Sequence, residues 1–148
     1  MDSISYEDKP QYDIWIKLII GFPLAIVFIT ALFTITTDPE ATAGMLVVFV
    51  LLLAVFWVVF PRKYCLTGKG VKIVLGRPLS FTIKFNNIVK AEVPKGLTLG
   101  YNFVTSFRNT VQIVTKRGMN FNISPTNPAL FIENLEKSLD DWKTWNRR

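Results

Sequence analysis

The chain has 148 residues, room for one compact domain and an appendage but not for two full domains. Half of its residues are hydrophobic while its formal net charge is +6, so the apolar and the charged residues must sit in different segments. A single cysteine, Cys65, excludes an internal disulfide and a thiolate metal cage, and the lack of histidine removes the usual general base and the commonest metal ligand.

Residues 1–13 carry Asp2, Glu7, Asp8 and Asp13 against Lys9 alone and read as a short cytoplasmic N-terminal segment. From Leu18 to Thr37 the chain then runs LIIGFPLAIVFITALFTITT without a charge. With Ile14, Trp15 and Ile16 this gives about 22 apolar-compatible positions, or roughly 33 Å of helix, enough to cross a hydrocarbon core. The first span is expected at 14–36, with Lys17 snorkelling from its start. A cleaved signal peptide would need a basic leader and a shorter apolar core, and the acidic leader argues against one.

A second uncharged run, Ala41 to Phe60, reads ATAGMLVVFVLLLAVFWVVF. Asp38 suits an N-cap, Pro39 the first helical position and Glu40 the positive end of the macrodipole, so this span is expected at 39–60. Two such segments are too apolar for the remaining residues to bury. The linker between them is short enough only for an antiparallel hairpin, making residues 14–60 one transmembrane unit. That linker holds no lysine or arginine, whereas the chain after the second span opens on Arg62 and Lys63 and holds fifteen. The positive-inside bias therefore places both termini in the cytoplasm and the chain in the cell membrane as a two-span protein. Trp15, Trp57, Arg62 and Lys63 are the expected interface anchors. Pro23 cannot bond to the Ile19 carbonyl and predicts a kink. Gly21 and Ala25 offer close helix approach, first within the hairpin and second to a partner helix.

After Pro61 short alternating runs are separated by Gly, Pro and Asn. Strands are expected at 62–67, 71–75, 79–85, 88–93, 102–107, 110–115 and 119–124, with turns at Gly68-Lys69-Gly70, Gly76-Arg77-Pro78, Asn86-Asn87, Pro94-Lys95-Gly96, Arg108-Asn109 and Lys116-Arg117-Gly118. An amphipathic helix then starts at Asn127-Pro128 and runs to about Trp142, aligning Leu130, Phe131, Leu135 and Leu139. Residues 61–148 thus read as a mainly-β cytoplasmic domain closed by a C-terminal helix.

Tyr64-Cys65-Leu66-Thr67, Gly70-Val71-Lys72-Ile73 after a tight turn, Phe85-Asn86-Asn87-Ile88, and Ile123-Ser124-Pro125 before Asn127-Pro128-Ala129-Leu130-Phe131 resemble the bacterial pleckstrin-homology-like domains found behind paired transmembrane helices. The resemblance covers Tyr64 to Leu139, roughly half the chain. It implies a PH-like, seven-stranded bent barrel capped by a C-terminal helix, membership of membrane-associated assemblies and no shared catalytic residue.

Individual motifs add little chemistry. Gly68-Lys69-Gly70 lacks the rest of a phosphate loop and reads as a hairpin turn. Asp140-Asp141 diverge at a helix end, and Asn122-Ile123-Ser124 is a glycosylation sequon inside a strand. Cys65 reads as a buried strand residue before it reads as a palmitoylation site. No cofactor, no metal and no enzyme activity are expected. Charge is more telling: residues 61–148 hold fifteen Lys and Arg against five Asp and Glu. The leading expectation is a non-enzymatic, membrane-anchored interaction or scaffold module. It would act as an accessory subunit of a membrane complex that meets a protein partner or further copies of itself. The alternative is an inner-leaflet domain for anionic membrane lipids, with Lys69, Lys72, Arg77 and Lys84 at the headgroups. The eukaryotic pleckstrin-homology domains that grip phosphoinositides spread a basic cluster over a longer first hairpin loop than Gly68-Lys69-Gly70, so the resemblance does not imply specific phosphoinositide binding. Nucleic acid is not expected, because neither a recognition helix nor paired stacking aromatics are evident on the strands.

Overall fold

The computed structural model describes residues 4–76, 79–94, 96, 99–116 and 118–146. They divide into two compact units. One is the hairpin, Asp13–Phe60; the other joins Met1–Tyr12 to Pro61–Arg148.

The hairpin has two helices, α1 (Ile14–Thr34) and α2 (Pro39–Val59), each of 21 residues and each long and apolar enough to cross a membrane. They end one or two residues short of their expected limits at the turn and at Phe60. Residues 35–37 leave the helix because the Thr37 and Asp38 N–H groups fold back onto the Thr34 carbonyl (3.1 and 2.9 Å). The second helix starts as its sequence requires. Asp38 Oδ1 accepts from the Ala41 N–H at 2.9 Å, Pro39 lies in the first turn and Glu40 follows it. Between the helices Ala31 and Thr42 are buried, the Thr34 and Thr42 hydroxyls hydrogen-bond at 2.9 Å, and Phe28 packs on Phe49. Most other side chains face outward (Phe33 is 78 % exposed).

The second unit begins with a strand that the sequence did not announce. β1 (Ile4–Asp8) pairs antiparallel with β2 (Lys63–Thr67), followed by β3 (Gly70–Val74) and β4 (Ser80–Lys84), in the sheet order β1-β2-β3-β4. A 3-10 turn, Phe85–Asn87, carries the chain into a second sheet. This sheet contains β5 (Ile88–Glu92), β6 (Tyr101–Phe103), β7 (Val111–Thr115) and β8 (Phe121–Ile123), in the order β5-β7-β8-β6. Helix α3 (Pro128–Trp145) follows, capped by Asn127, whose side chain accepts from the Leu130 N–H.

Four expectations need correction. The described residues contain eight strands, not seven. The acidic leader is not a separate segment, because Tyr6 pairs in register with Leu66 and Asp8 with Tyr64. These eight strands form two four-stranded sheets rather than one closed barrel. The 3-10 turn sends β4 and β5 into different sheets, and β1 occupies the free side of β2. The expected strand at 102–107 is cut to Tyr101–Phe103. Beyond it the Thr105 and Ser106 N–H groups are taken by Ser124 Oγ (3.2 and 3.1 Å) instead of a neighbouring strand.

The core lies between the sheets and under α3. Tyr64, Leu66, Val71, Ile73 and Ile83 enter from the first sheet, Val111, Ile113, Phe121 and Ile123 from the second, and Phe131, Leu135 and Leu139 from the helix. The helix runs one turn past its expected end because Trp142 still packs on Phe85. Gly70 allows the tight approach of β3 to β4, since a Cβ there would collide with the Ile83 carbonyl oxygen and lie 2.9 Å from Lys84 Cα.

Candidate functional site

Lys69, Lys72 and Lys84 gather on one region of the first sheet. In the β3–β4 register Lys72 faces Thr82 and Gly70 faces Lys84, so strand alternation places Lys72 and Lys84 on the same outward face as diagonal neighbours. Lys69, in the β2–β3 turn, is tied to this end by its carbonyl, which accepts from the Phe85 N–H at 3.1 Å. Arg77, the fourth expected headgroup contact, lies outside the described residues. Farther along the same face Lys63 meets Glu7 at 2.7 Å. Both partners of this pair are well exposed, so it fixes geometry more than it adds stability. Arg62 enters the sheet through its N–H, which donates to the Val74 carbonyl at 2.7 Å.

Cys65 stands on that outward face between Glu7 of β1 and Lys72 of β3, yet it is only 3 % exposed. Burial, then the neighbouring Glu7 carboxylate, pushes its thiol above its ordinary pKa. Its proton is therefore held more tightly in the folded than in the unfolded chain. That favours folding below the unfolded thiol's pKa and is lost as pH rises through the folded value. Maleimide at neutral pH is expected to label Cys65 at least about tenfold more slowly in the folded than in the denatured chain, because the thiolate is the nucleophile. Equal rates would show that β1 does not cover it. The burial also disfavours acylation.

Tyr64 is the polar anchor of the unit. Its hydroxyl donates to the Phe103 carbonyl at 3.1 Å and accepts from the Ser124 N–H at 3.3 Å, joining the two sheets. Burial drives its pKa far up, so it stays a neutral phenol. Asn122 of the sequon is fully buried and donates through Nδ2 to Asn102 Oδ1, a geometry closed to a glycan.

In the hairpin, Trp15 lies in the first turn of α1 and Trp57 in the last turn of α2, at the same end of the antiparallel pair, and both are exposed. Helix α1 continues through Pro23. A Cβ built on Gly21 meets nothing within 4 Å, and Ala25 is exposed, so the first reading of this pair, packing within the hairpin, fails.

The feature that sequence reading missed lies along β4. A cleft of about 450 Å³ is lined by Phe81, Lys84, Tyr101, Thr115, Met119 and Phe121, with Asn86 and Asn87 of the 3-10 turn at one end. Phe81 sits 5.2 Å from Phe121 and stacks on Phe103 at 6.4 Å, while Tyr101 stacks on Phe121 at 5.1 Å. The strands therefore do carry paired stacking aromatics, contrary to expectation. They come from β4, β6 and β8, so no single stretch of sequence shows them together. Period-two alternation puts Phe81 and Ile83 on one face and flags Phe81 as core, yet Phe81 is 42 % exposed because β4 is the last strand of its sheet.

Among the described residues no group of three or more His, Cys, Asp or Glu side chains could hold a metal ion. Compared with protein-family models, with curated proteins and with solved structures, the chain matches none of them.

Proposed function

We propose that this chain is a membrane-anchored interaction module, an accessory subunit whose hairpin lies in the cell membrane and whose β-rich unit docks a protein partner on the cytoplasmic side. One observation carries the reading. A unit of high positive charge exposes a contiguous aromatic cleft beside a strand edge that is unpaired among the described residues, whereas a water-facing monomer usually covers such surface. The order of strands ending in an amphipathic helix over a two-sheet core supports the pleckstrin-homology-like resemblance. The N-terminal strand is an addition to that pattern. Because β1 and β2 flank the hairpin and pair with each other, both ends of the hairpin lead into one folded unit, in keeping with two spans and termini on one side. The open Gly21 and Ala25 surface of α1 favours a second contact, to a partner helix in the bilayer.

The full-length chain extracted in mild detergent is expected to elute as a discrete complex of fixed stoichiometry. Gly21→Leu, which fills open space, is expected to weaken that complex and leave the chain folded. A monomer that elutes alone would overturn the reading.

A second reading, contact with anionic lipid, is favoured by Lys72 and Lys84 sharing one face with Lys69 in the adjoining turn. Its test needs a chain without the hairpin but with β1. The Tyr12 hydroxyl donates to the Pro61 carbonyl at 2.6 Å, so a short Gly-Ser linker can join Tyr12 to Pro61. Co-sedimentation of that chain with anionic but not zwitterionic vesicles, lost on changing the three lysines to Glu, would favour lipid over protein.

A further inference from the structure

Four strand edges terminate the two sheets, and they are not equivalent. In the first sheet β1 closes one side and β4 ends the other. Proteins blunt such edges with proline, bulges, inward charges or a covering segment. Ser80–Lys84 contains no proline, its pairing with β3 runs without a register shift, and four of its five residues are exposed. Beside it lies the aromatic wall of Phe81, Tyr101 and Phe121, extended by Leu79 (47 % exposed) and Met119 (56 %). A strand laid on that edge would find main-chain partners on one side and apolar side-chain pockets on the other.

The charges around the cleft define what fits. Lys84 lines it, Lys116 follows Thr115 at its end, and Lys72 stands opposite Thr82. No carboxylate is among the described lining residues. The whole unit carries sixteen Lys and Arg against eight Asp and Glu, and four of those acids lie on α3. A second copy of this strand carries Lys84 and no carboxylate, so it would bring no counter-charge to the lysines of the cleft. A lipid acyl chain would fill the apolar wall but satisfy none of the N–H and C=O groups of the edge.

We propose that an extended, acidic segment of a partner protein adds to the free edge of β4, seating aromatic or branched side chains in the Phe81–Tyr101–Phe121 cleft and its carboxylates against Lys84 and Lys116. This rests on the interaction-module reading and deepens it by giving the partner's chemistry and its place of docking. Five residues of β4 accommodate a segment about 17 Å long. Recognition is of the strand-addition kind, with affinity from main-chain hydrogen bonds and selectivity from alternate side chains.

The test uses the full-length chain in nanodiscs of zwitterionic lipid and a capped seven-residue peptide alternating Asp or Glu with Phe or Val. Fluorescence anisotropy reads binding and hydrogen exchange reads the amides of Ser80–Lys84. The acidic peptide is expected to bind saturably, to weaken as salt rises and to slow exchange in β4. Replacing its acids with lysine, or N-methylating alternate amides, should each weaken it at least about tenfold. Lys84→Glu, an exposed change that leaves the core untouched, should weaken the acidic peptide about tenfold and strengthen the lysine peptide. Phe81→Ala should weaken both.

The proposal is overturned by no saturable binding up to about 1 mM, by indifference to N-methylation, or by unchanged exchange in β4. It is equally overturned if a ten-nucleotide single-stranded RNA binds the cleft more tightly than the peptide, if β4 is protected only in anionic discs, or if Ser80→Cys chains cross-link copy to copy through this edge. Should the detergent-extracted complex form and survive Lys84→Glu and Phe81→Ala unchanged, the cleft is wrong and the module reading stands. If no complex forms and no peptide binds, both fall.

Discussion

Deleting Met1–Asp8 from the full-length chain is expected to lower the melting midpoint of the β-rich unit by about 10 °C or more, a loss of roughly 2–3 kcal/mol for a domain of this size. The segment looks dispensable in sequence because two long apolar helices separate it from the rest of the unit. In the fold it is the edge strand of the first sheet. Its removal strips the hydrogen-bonding partner from Tyr64, Cys65, Leu66 and Thr67 of β2. It also removes Tyr6, which meets Phe131 edge-on at 6.2 Å, and Asp8, whose carboxylate accepts from the Asn127 N–H at 3.2 Å beside the start of α3. The exposed flank of β2 would then be an apolar edge open to aggregation. Circular dichroism melts of the shortened and intact chains in the same detergent provide the check. Hydrogen exchange should locate the damage in Lys63–Thr67. An unchanged melt with β2 still protected would show that the N-terminal strand is not part of the folded unit. A fragment starting at residue 61 shares the defect, so its failure to bind a partner or a vesicle would say nothing about function.

Phe131→Ala is expected to cost about 3–5 kcal/mol, the range for a large aromatic removed from a core that cannot collapse around the hole. Phe131 is fully buried and touches both Tyr6 and Tyr64 edge-on, so one ring ties α3 to β1 and to β2 at once. Phe131→Leu keeps much of the volume and should cost less than about 1.5 kcal/mol. Chemical denaturation followed by the fluorescence of Trp142, which packs on Phe85 under the same helix, separates the two. If the alanine variant lost less than about 1 kcal/mol, α3 would be a loosely attached appendage rather than the lid of the core. Both experiments bear on function, because Phe81 and Lys84, one wall of the cleft, belong to the sheet that β1 and Phe131 stabilise.

Much of this architecture was legible in the order of residues. Long uncharged runs cannot be satisfied in water, so the two helices declared themselves. Asp38-Pro39 and Asn127-Pro128 marked where α2 and α3 begin, and in both cases the side chain of the first residue accepts the expected backbone N–H. Seven of the eight strands announced themselves through alternation between Gly, Pro and Asn turns. Their limits differ by one or two residues at most ends, and the largest loss, beyond Phe103, falls where Ser124 takes the N–H groups of Thr105 and Ser106. Of the lysines proposed from the turn and strand pattern, Lys72 and Lys84 are diagonal neighbours on one face and Lys69 lies in the adjoining turn. The aromatic cleft did not show, since Phe81, Tyr101 and Phe121 belong to three strands and meet only when two sheets face each other.

What the sequence determined by itself is whatever depends on neighbours a few residues apart: hydrophobic length, strand and helix period, caps, turns, and the division between apolar spans and a basic remainder. What the tertiary structure alone decided is which distant segments share an edge. Glu7 lies beside Cys65 although 57 residues separate them in the chain, and no local pattern encodes a pairing across a two-helix hairpin. Hydrogen-bonding edges are filled by whatever complementary strand is within reach. Among the described residues the N-terminal strand closes one side of the first sheet, and no strand pairs with β4 on the other.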